Sequence, residues 1–432
     1  MACECVKSEL DLFSIPIIQT SITDGQWVEH HPIASITDTG PLEFFISGSS
    51  DDYIDLANTY LYVQAKIVKH DDTNLAAADI AAPINNWMHS LFSQVDVSLN
   101  ETLITPSSQT YPYRAYVENL ISHGDDAKQS QLTSVLWYKD TKDFMDSVTL
   151  DSNIGLVRRN AFTKESKAVD MMGRLHVDVF HQDRYLLNGV DMKVRLIRSR
   201  DSFSLMAAQA GADPTVPKVK IIQAVLYVRK TKLNPTVQMA HIKALEKGTA
   251  KYPVRRIDCK VFAVSQGSRS VNQDNVFLGQ LPKRIVIGMV DNDAFNGAYN
   301  KNPFHFKHND LNFLALYVDG HQIPSKPLKP DFSNNMFVRS YVNLFAATGK
   351  MHEDEGNDIT REEFGEGYTL FAFDLTPDLC DGHSNLIKTG NLRIEMQFTT
   401  SLRTTTNIVV YAEFDNILEI DRSRNVLFDY SA

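Results

Sequence analysis

Two clusters of histidine and carboxylate residues have the side-chain types of metal sites. Residues 305–310 place His305, His308 and Asp310 within reach of one ion, and histidine with carboxylate oxygen is a common zinc ligand set. No Glu and His at matching strand positions complete the set, so a solvated loop is the favoured interpretation. His30 and His31 lie in a polar segment and are expected to be exposed.

Acidic segments suggest calcium, but the spacing argues against it. Residues 291–297 begin like a calcium-binding loop, yet Phe295 stands at the fifth position, Gly297 is one residue late, and no Glu occupies the twelfth. A polar turn is therefore favoured. The dense acidic run at residues 352–366 is interpreted as a solvated loop, and a calcium site at a subunit contact remains the alternative.

Basic clusters could contact nucleic acid, and the overall charge limits such contacts to local ones. Lys and Arg number 43 against 53 Asp and Glu, a formal net charge of -10. Basic residues on strands more often pair with carboxylates than face DNA. The clusters considered are Arg158 with Arg159, Arg195 with Arg198 and Arg200, Arg229 with Lys230 and Lys232, and Arg255 with Arg256.

The chain carries none of the common catalytic motifs. It has no G-x-S-x-G, H-E-x-x-H or Walker phosphate loop. Its four cysteines fit neither a disulfide framework nor a zinc knuckle, and no apolar stretch approaches the ~18 residues of a membrane span. We therefore predict no enzyme activity, no catalytic residue, no cofactor, no metal and no membrane span.

One short pattern occurs twice. Arg114, Tyr116, Val117, Asn119 and Leu120 precede Gly124, and the same order returns later in the chain. The second copy is Arg339, Tyr341, Val342, Asn343 and Leu344 before Gly349. Each copy follows a hairpin and has helical spacing, so the packed helix faces are predicted to be Tyr116, Val117 and Leu120 in one copy and Tyr341, Val342 and Leu344 in the other.

This duplication predicts paired domains in a chain of 432 residues. We expect an amino-terminal arm at 1–40, a first domain at 41–232 with a surface insertion at 125–166, a linker at 233–250, a second domain at 251–425 and a tail at 426–432. In the arm, the apolar residues expected to contact a neighbouring subunit or a cementing protein are Leu12, Phe13, Ile17 and Ile18.

The period-two apolar patterns predict an all-β fold. Each half has about eight strand candidates, one prominent helix in a connecting loop, and no strand–helix alternation. One such pattern, Leu175, Val177 and Val179, predicts a strand at 174–180. Eight strands in two Greek keys form a jelly roll, so the prediction is a double jelly roll of two eight-stranded antiparallel sandwiches. Immunoglobulin-like domains fit less well because they lack the long helix.

Three segments carry a family resemblance, clearest over residues 8–125. Residues 10–13 (Leu-Asp-Leu-Phe), Gly48 with residues 52–56, and residues 86–95 (Asn-Trp-Met-His-Ser-Leu-Phe-Ser-Gln-Val) resemble the major capsid (hexon-type) proteins of Polinton/Maverick elements, adintoviruses and related adenovirus-like double-stranded DNA viruses. The second half supports the resemblance mainly by its fold pattern.

The resemblance implies a virion protein, assembled in the host-cell nucleus, that trimerises into pseudo-hexameric capsomers tiling an icosahedral shell around DNA. Its implied partners are neighbouring capsomers, penton and cementing proteins, with direct DNA contact weak. The repeat independently suggests the same assembly, because three chains with two similar domains each give six similar units.

Two other functions remain open from the sequence. A single-jelly-roll vertex (penton) protein would need about half this length, so the repeat argues against it. A duplicated jelly-roll protein that binds carbohydrate or metal would require converging polar or aromatic groups in one pocket, which the sequence does not reveal.

Overall fold

The computed structural model describes residues 18–48, 51–208, 216–379 and 386–428. The strand pairs between its named strands are antiparallel, and the sheets fall into two successive groups along the chain. We call these groups the first roll, which contains the strands before residue 234, and the second roll, which contains the strands after it.

The first roll contains two four-stranded sheets and a short two-stranded one. Its strands are β1 (Ile22–His30), β2 (Leu42–Ile46), β3 (Tyr53–Lys69), β4 (Ala81–Pro83), β5 (Phe92–Leu99), β6 (Thr102–Leu103), β7 (Val169–Gly173), β8 (Met192–Arg198), β9 (Leu205–Ala207) and β10 (Pro217–Leu233). The sheet orders are β1-β10-β3-β7 and β2-β8-β5-β6, and β4 pairs with β9.

The second roll repeats this topology. Its strands are β11 (Ala250–Val264), β12 (Ser270–Gln273), β13 (Leu278–Gln280), β14 (Arg284–Asp291), β15 (Leu311–Val318), β16 (His321–Leu328), β17 (Leu370–Asp374), β18 (Thr389–Phe398), β19 (Thr406–Ile420) and β20 (Val426–Leu427). The sheet orders are β11-β19-β14-β17 and β12-β18-β15-β16. These two four-strand orders match those of the first roll, while β20 also pairs with β19 and β13 with β18. The predicted double jelly roll is confirmed.

Period-two burial explains why these segments form strands. In β5, Val97 and Leu99 are buried, while the residues between and before them are partly exposed. In β18, Leu392, Ile394 and Met396 alternate in the same way. Successive side chains of a strand point to opposite faces, so each of these strands presents one apolar face to a sandwich interior. Burying each such side chain contributes about 1.5–3 kcal/mol.

Two equivalent hairpins fix the register of β5 with β6 and of β15 with β16. Asn100 and Glu101 have φ of 44° and 67°, and Asp319 and Gly320 have φ of 49° and 82°. Two successive positive φ angles define a type I′ turn, whose twist matches that of the flanking strands. The hairpin predicted before each copy of the repeat is confirmed.

Helices occupy the connections between strands. They are α1 (Trp87–Ser90), α2 (Tyr111–Ser122), α3 (Asp125–Gln129), α4 (Ile154–Thr163), α5 (Asp201–Ser204), α6 (Pro235–Leu245), α7 (Asn292–Asn296), α8 (Val338–Ala347) and α9 (Arg361–Gly365). Pro112 and Pro235 stand in the first turns of α2 and α6, where the missing N–H costs no hydrogen bond. Within the described residues, no helix combines the length and apolar character needed to cross a membrane.

The strand predicted at 174–180 is wrong. The preceding residues form β7, and Asp178–His181 is a 3-10 helix. Leu175, Val177 and Val179 are nevertheless buried. The alternation indicated burial correctly, but the backbone turns where a strand would continue, since the Phe180 N–H donates to the Val177 carbonyl oxygen (3.0 Å).

The predicted arm at 1–40 is wrong in its second half. β1 pairs with β10 along its length, with Trp27 opposite Arg229, and so belongs to the first roll. No residue of β1 is fully buried, which is why no apolar period marks it in the sequence. Of the predicted assembly contacts, Leu12, Phe13 and Ile17 lie outside the described residues, and Ile18 is 67% exposed.

The predicted surface insertion at 125–166 is wrong where its residues are buried. Trp137, Leu156 and Arg159 are buried, as is most of Lys128. The segment was expected on the surface because it is polar and charged. Two of its buried polar groups, Lys128 and Asp140, instead find partners in the second roll, which a linear pattern does not reveal.

Candidate functional site

The contact between the two rolls is built around α2. The ring of Tyr116 stacks on Phe304 of the second roll, with ring centroids 4.0 Å apart and planes 7° apart. Tyr113 stacks on Phe295 at 5.4 Å. Tyr113, Tyr116 and Phe304 are buried. This helix therefore joins the rolls through stacked aromatic rings, which add to the apolar area that they bury.

A buried ion pair beside α2 provides a hydrogen-bond acceptor for a backbone N–H of β11, the edge strand of the second roll. Arg114 Nη2 donates to Asp178 Oδ1 at 2.6 Å, and the same oxygen accepts from the backbone N–H of Ile257 in β11 at 3.2 Å. Two residues further along β11, the Cys259 carbonyl oxygen accepts from Thr110 Oγ1 at 3.0 Å. Burial raises the pKa of the Cys259 thiol to about 12, so this cysteine is unreactive.

Asp140 forms a second junction between the rolls. Its Oδ1 accepts from Arg159 Nη2 at 2.6 Å, and its Oδ2 accepts from Asn302 Nδ2 at 2.9 Å. The Tyr368 hydroxyl donates to the Asp140 carbonyl oxygen at 2.6 Å. Asn302 and Tyr368 belong to the second roll, so the insertion acts as a wedge between the two.

Lys128 is a buried amine in the same wedge. Its Nζ donates to the carbonyl oxygens of Leu120 (3.0 Å) and Asn357 (2.5 Å). Burial disfavours the charged form and lowers the pKa of Lys128 from 10.5 to about 7, with Asp358 opposing the shift. The amine donates these bonds in either protonation state.

We expect the stability contribution of Lys128 to rise with pH. Between about 7 and 10.5 the unfolded chain binds more protons at this group than the folded chain does, so the free energy of unfolding increases with pH across that window. Lys128→Met removes this contribution, and urea unfolding from pH 7 to 10 measures it. The wild-type advantage should grow with pH. Lys142→Met, at an exposed lysine, should show no trend, and a flat difference for Lys128→Met would contradict the assignment.

The repeat-equivalent helix α8 has different surroundings from α2. Leu344 is buried, and the half-buried Tyr341 donates its hydroxyl to the Ile359 carbonyl oxygen at 2.9 Å. Val342 is 36% exposed, and Val338 is 42% exposed. In α2, by contrast, Tyr116, Val117 and Leu120 are all buried. Both helices follow the equivalent hairpin of their roll, but only α2 is covered by a second roll.

The edge strands β1 and β11 also differ in how far the rest of the chain covers them. Each stands at the edge of its roll's equivalent sheet. In β11, Tyr252, Val254 and Ile257 are buried, and the Tyr252 hydroxyl contacts the first roll through the Leu187 N–H at 3.1 Å. In β1, Trp27 is 45% exposed and no residue is buried. The face of α8 and the strand β1 therefore lack the cover that α2 and β11 provide for each other.

A cavity of about 1120 Å³ lies where α2 meets β11. Its wall includes Glu118, His176 and His181, whose ligand atoms lie within 4.8 Å of one another. Burial opposes ionisation of Glu118, but His181, His176 and Arg114 outweigh it and hold the pKa of Glu118 well below its ordinary value. Burial lowers the pKa of His181 to about 4.

The sequence did not reveal this cluster. Glu118 lies on α2, while His176 and His181 lie in and beside a segment that was interpreted as a strand. The distance along the chain hides the grouping, and no spacing motif connects a helix residue to a distant loop.

The histidines considered from the sequence do not come together around one point. His305 Nδ1 lies 2.8 Å from Asp146 Oδ2, whereas the His308 ring stacks on Phe332 with centroids 4.2 Å apart. His30 is half-buried and His31 is exposed. In the part of the chain that the structure describes, Glu118, His176 and His181 form the one group with metal-ligand geometry.

The acidic segments have other partners in the structure. Asp291 Oδ2 lies 2.7 Å from Lys307 Nζ and 3.1 Å from Lys301 Nζ, at the start of α7. In the 352–366 run, Glu363 and Thr360 form a capping box on α9, and Glu363 also pairs with Lys139 at 2.8 Å. These carboxylates therefore neutralise lysines and cap a helix.

The basic clusters also have local partners. Arg159 is fully buried, Arg195 pairs with Glu43 at 3.2 Å, and Arg255 lies 3.7 Å from Glu413. The Arg229 guanidinium lies over the Trp27 ring at 5.6 Å. Burial excludes Arg159 from any contact with DNA.

Comparisons with known proteins show similarity over the whole length of the chain. No family model matches. An uncharacterized protein of Caenorhabditis elegans is 27% identical over 432 residues, covering 96% of this chain and 99% of that protein.

Similar solved structures share the fold. The structure of the Sputnik virophage has a TM-score of 0.67 at 12% identity and covers 100% of this chain and 94% of its own. The Faustovirus major capsid protein has a TM-score of 0.59 at 10% identity, covering 94% and 92%. The mavirus major capsid protein has a TM-score of 0.53 at 11% identity, covering 100% and 96%. At these identities the comparison establishes the fold alone.

Proposed function

We propose that this chain is a structural major capsid protein whose three copies close into a pseudo-hexameric capsomer. One observation carries the proposal: α8 and β1 are the uncovered equivalents of α2 and β11, which cover each other within the chain. The role is assembly through burial, and no chemical step is involved.

The geometry of the two rolls supports a closed ring. Within the chain, α2 of the first roll packs against β11 of the second, through Arg114, Asp178 and Ile257. The same contact repeated between chains would place α8 of one copy against β1 of the next. Such a contact is heterologous, since the two surfaces differ, and heterologous contacts form rings when the rotation closes. Three chains with two rolls each give a ring of six similar units.

The exposed residues suit such an interface. Val338 and Val342 on α8 are apolar and outward-facing, and Trp27 gives β1 a large aromatic side chain beside Arg229. Aromatic and arginine residues are enriched in protein interfaces. A neighbouring chain would also cover an otherwise exposed sheet edge, which is a template for uncontrolled pairing.

The resemblance and the similar proteins support a role in a viral shell and an origin in an integrated viral element. The fold shared with the major capsid proteins of Faustovirus and mavirus supports a place in the shell of a double-stranded DNA virus. The relative in C. elegans supports the Polinton/Maverick assignment, because an integrated element would encode its capsid protein within an animal genome.

Assembly in the nucleus, the penton and cementing partners, and neighbour contacts by Leu12, Phe13, Ile17 and Ile18 remain predictions. The formal net charge of -10 supports weak DNA contact.

Native mass spectrometry of the purified full chain tests the proposed function. We expect a particle of three times the 48.7 kDa chain mass, with a hexagonal outline by electron microscopy. A pentamer would instead favour the vertex protein, and a monomer that binds carbohydrate would favour the duplicated binding protein. Either of those results would overturn the capsomer.

A further inference from the structure

We propose that Glu118, His176 and His181 bind a zinc-type divalent transition-metal ion in the cavity between the two rolls. This site is separate from the surfaces that support the capsomer. Two imidazoles and one carboxylate form a frequent protein ligand set for zinc, and three protein ligands leave a fourth position for water. Here all three residues line the cavity of about 1120 Å³, which has room for such a water.

The spacing of the ligand atoms fits such an ion. Bonds of about 2.0–2.1 Å in tetrahedral geometry place neighbouring ligand atoms ~3.3 Å apart. Glu118 Oε2 lies 3.0 Å from His176 Nδ1, and Glu118 Oε1 lies 3.5 Å from His181 Nε2. Each imidazole nitrogen therefore lies close to one oxygen of the carboxylate, and the ligand atoms of all three residues lie within 4.8 Å of one another.

The hydrogen bonds of His181 direct its second ring nitrogen, Nε2, toward an oxygen of Glu118, where a cation can bind between the two atoms. Its Nδ1 lies 3.0 Å from the Val177 carbonyl oxygen, which can only accept, so Nδ1 carries the hydrogen. The other ring nitrogen, Nε2, faces Glu118 Oε1 at 3.5 Å. The carboxylate oxygen can only accept, so either a proton on Nε2 or a metal ion bound to both atoms satisfies this pair.

The bond from His181 to the Val177 carbonyl is also the outer contact typical of metal-binding histidines. Such histidines donate their second ring N–H to a carbonyl or carboxylate, which fixes the tautomer and the ring orientation. The buried side chains of Val177, Val179 and Phe180 anchor the segment that carries His181. The imidazole is thus held on a packed support with its Nε2 directed at Glu118.

The charged groups next to the three ligands are net negative, whereas the cavity wall as a whole carries one net positive charge. The nearest cation is Arg114, whose Nε lies 3.8 Å from Glu118 Oε2, and its guanidinium is paired with Asp178 at 2.6 Å. The imidazoles aside, Arg114, Asp178 and Glu118 together carry one net negative charge. The other charged groups on the cavity wall are Arg174, Arg255, Lys283 and Asp415.

A bound ion would link two elements that both contact β11. Glu118 belongs to α2, while His176 and His181 flank Asp178, which bonds to the Ile257 N–H of β11. Metal binding would therefore stiffen the first-roll surface on which the second roll rests. Since ligands that bind only the folded chain stabilise it, zinc should raise the melting temperature.

Isothermal titration of chelator-treated full chain with zinc chloride tests the site. We expect one zinc ion per chain and a higher melting temperature. His181→Gln and Glu118→Gln should each weaken binding by about 10-fold or more. His321→Gln, at an exposed histidine of the second roll, is the matched control and should bind like the wild type. Cobalt substitution should give the visible absorption of a tetrahedral site, lost in His181→Gln.

No zinc binding by the wild type would overturn the site, and so would unchanged affinity in His181→Gln. His181 is 24% exposed, so its replacement can be accommodated, and circular dichroism checks folding if Glu118→Gln is unstable. Native mass separates this proposal from the capsomer, because a zinc-free trimer would contradict only the metal site and a zinc-binding monomer would contradict only the capsomer.

Discussion

Replacing Asp140 by asparagine is expected to lower the free energy of unfolding by about 3–5 kcal/mol, because it leaves the Arg159 guanidinium charged and buried without a counter-charge. Both side chains are fully buried, and Arg159 Nη2 lies 2.6 Å from Asp140 Oδ1. The new amide also presents a donor where Asn153 Nδ2 or Asn302 Nδ2 now donates, each at 2.9 Å. Urea unfolding followed by circular dichroism measures the loss.

Asp143→Asn is the matched control for this prediction. Asp143 lies in the same segment, but its side chain is 50% exposed and its ion pair with Lys142 is 3.9 Å long. Asparagine tolerates the positive φ of 65° at this position, so the change should stay within about 0.5 kcal/mol. A loss below about 1 kcal/mol for Asp140→Asn would mean that the carbonyl oxygens of Pro83 and Tyr138, which also accept from Arg159, hold it without the carboxylate.

Replacing Val342 by aspartate is expected to dissociate the trimer while leaving the chain folded. Val342 is 36% exposed in the single chain, so water can solvate the new carboxylate there. In the proposed ring the same carboxylate would be buried at each of the three contacts, and burying an unpaired charge costs several kcal/mol. We expect the trimer to weaken by about 100-fold or more, as measured by sedimentation at several concentrations.

Met239→Asp controls for adding a charge at an exposed apolar position. Met239 lies on α6, outside α8 and β1, and is 55% exposed. This variant should sediment as the wild type does. Trp27→Asp, on the opposite side of the proposed contact, should dissociate the trimer as Val342→Asp does. A stable trimer in both Val342→Asp and Trp27→Asp would exclude the α8–β1 contact.

The sequence by itself determined the turns and the buried faces of strands, because both depend on residues that are neighbours along the chain. Asn100, Asp319 and Gly320 favour their hairpins because asparagine, aspartate and glycine adopt positive φ at lower cost than other residues. Val97 and Leu99 alternate with polar residues, and this spacing indicates one buried face of the strand. The buried face can be predicted without knowing which strand pairs with it. The repeated Arg-x-Tyr-Val pattern marked the same helix in both rolls, so the double jelly roll could be predicted from the sequence.

Tertiary structure alone decided what covers each element. The sequence pattern is the same at Val117 and Val342, yet one is buried and the other exposed. The second roll covers the side of α2 that carries Val117, whereas β17 and α9 pack on other sides of α8 and leave Val342 uncovered by the described residues. β1 was interpreted as part of an arm since its solvent-facing residues carry no apolar period. It is a strand because β10 supplies its hydrogen-bond partners.

Polar groups were the least predictable from the sequence. Asp140 and Arg159 predict an exposed segment, because charged side chains are usually solvated. In the structure they form a buried ion pair, and Asn302 of the second roll donates a further hydrogen bond to Asp140. Glu118, His176 and His181 converge only after α2 and the segment beyond β7 pack together. Hydrophobic periods and turn conformations depend on neighbours along the chain. Buried charges and ligand clusters depend on neighbours in space, and only the packed rolls bring those together.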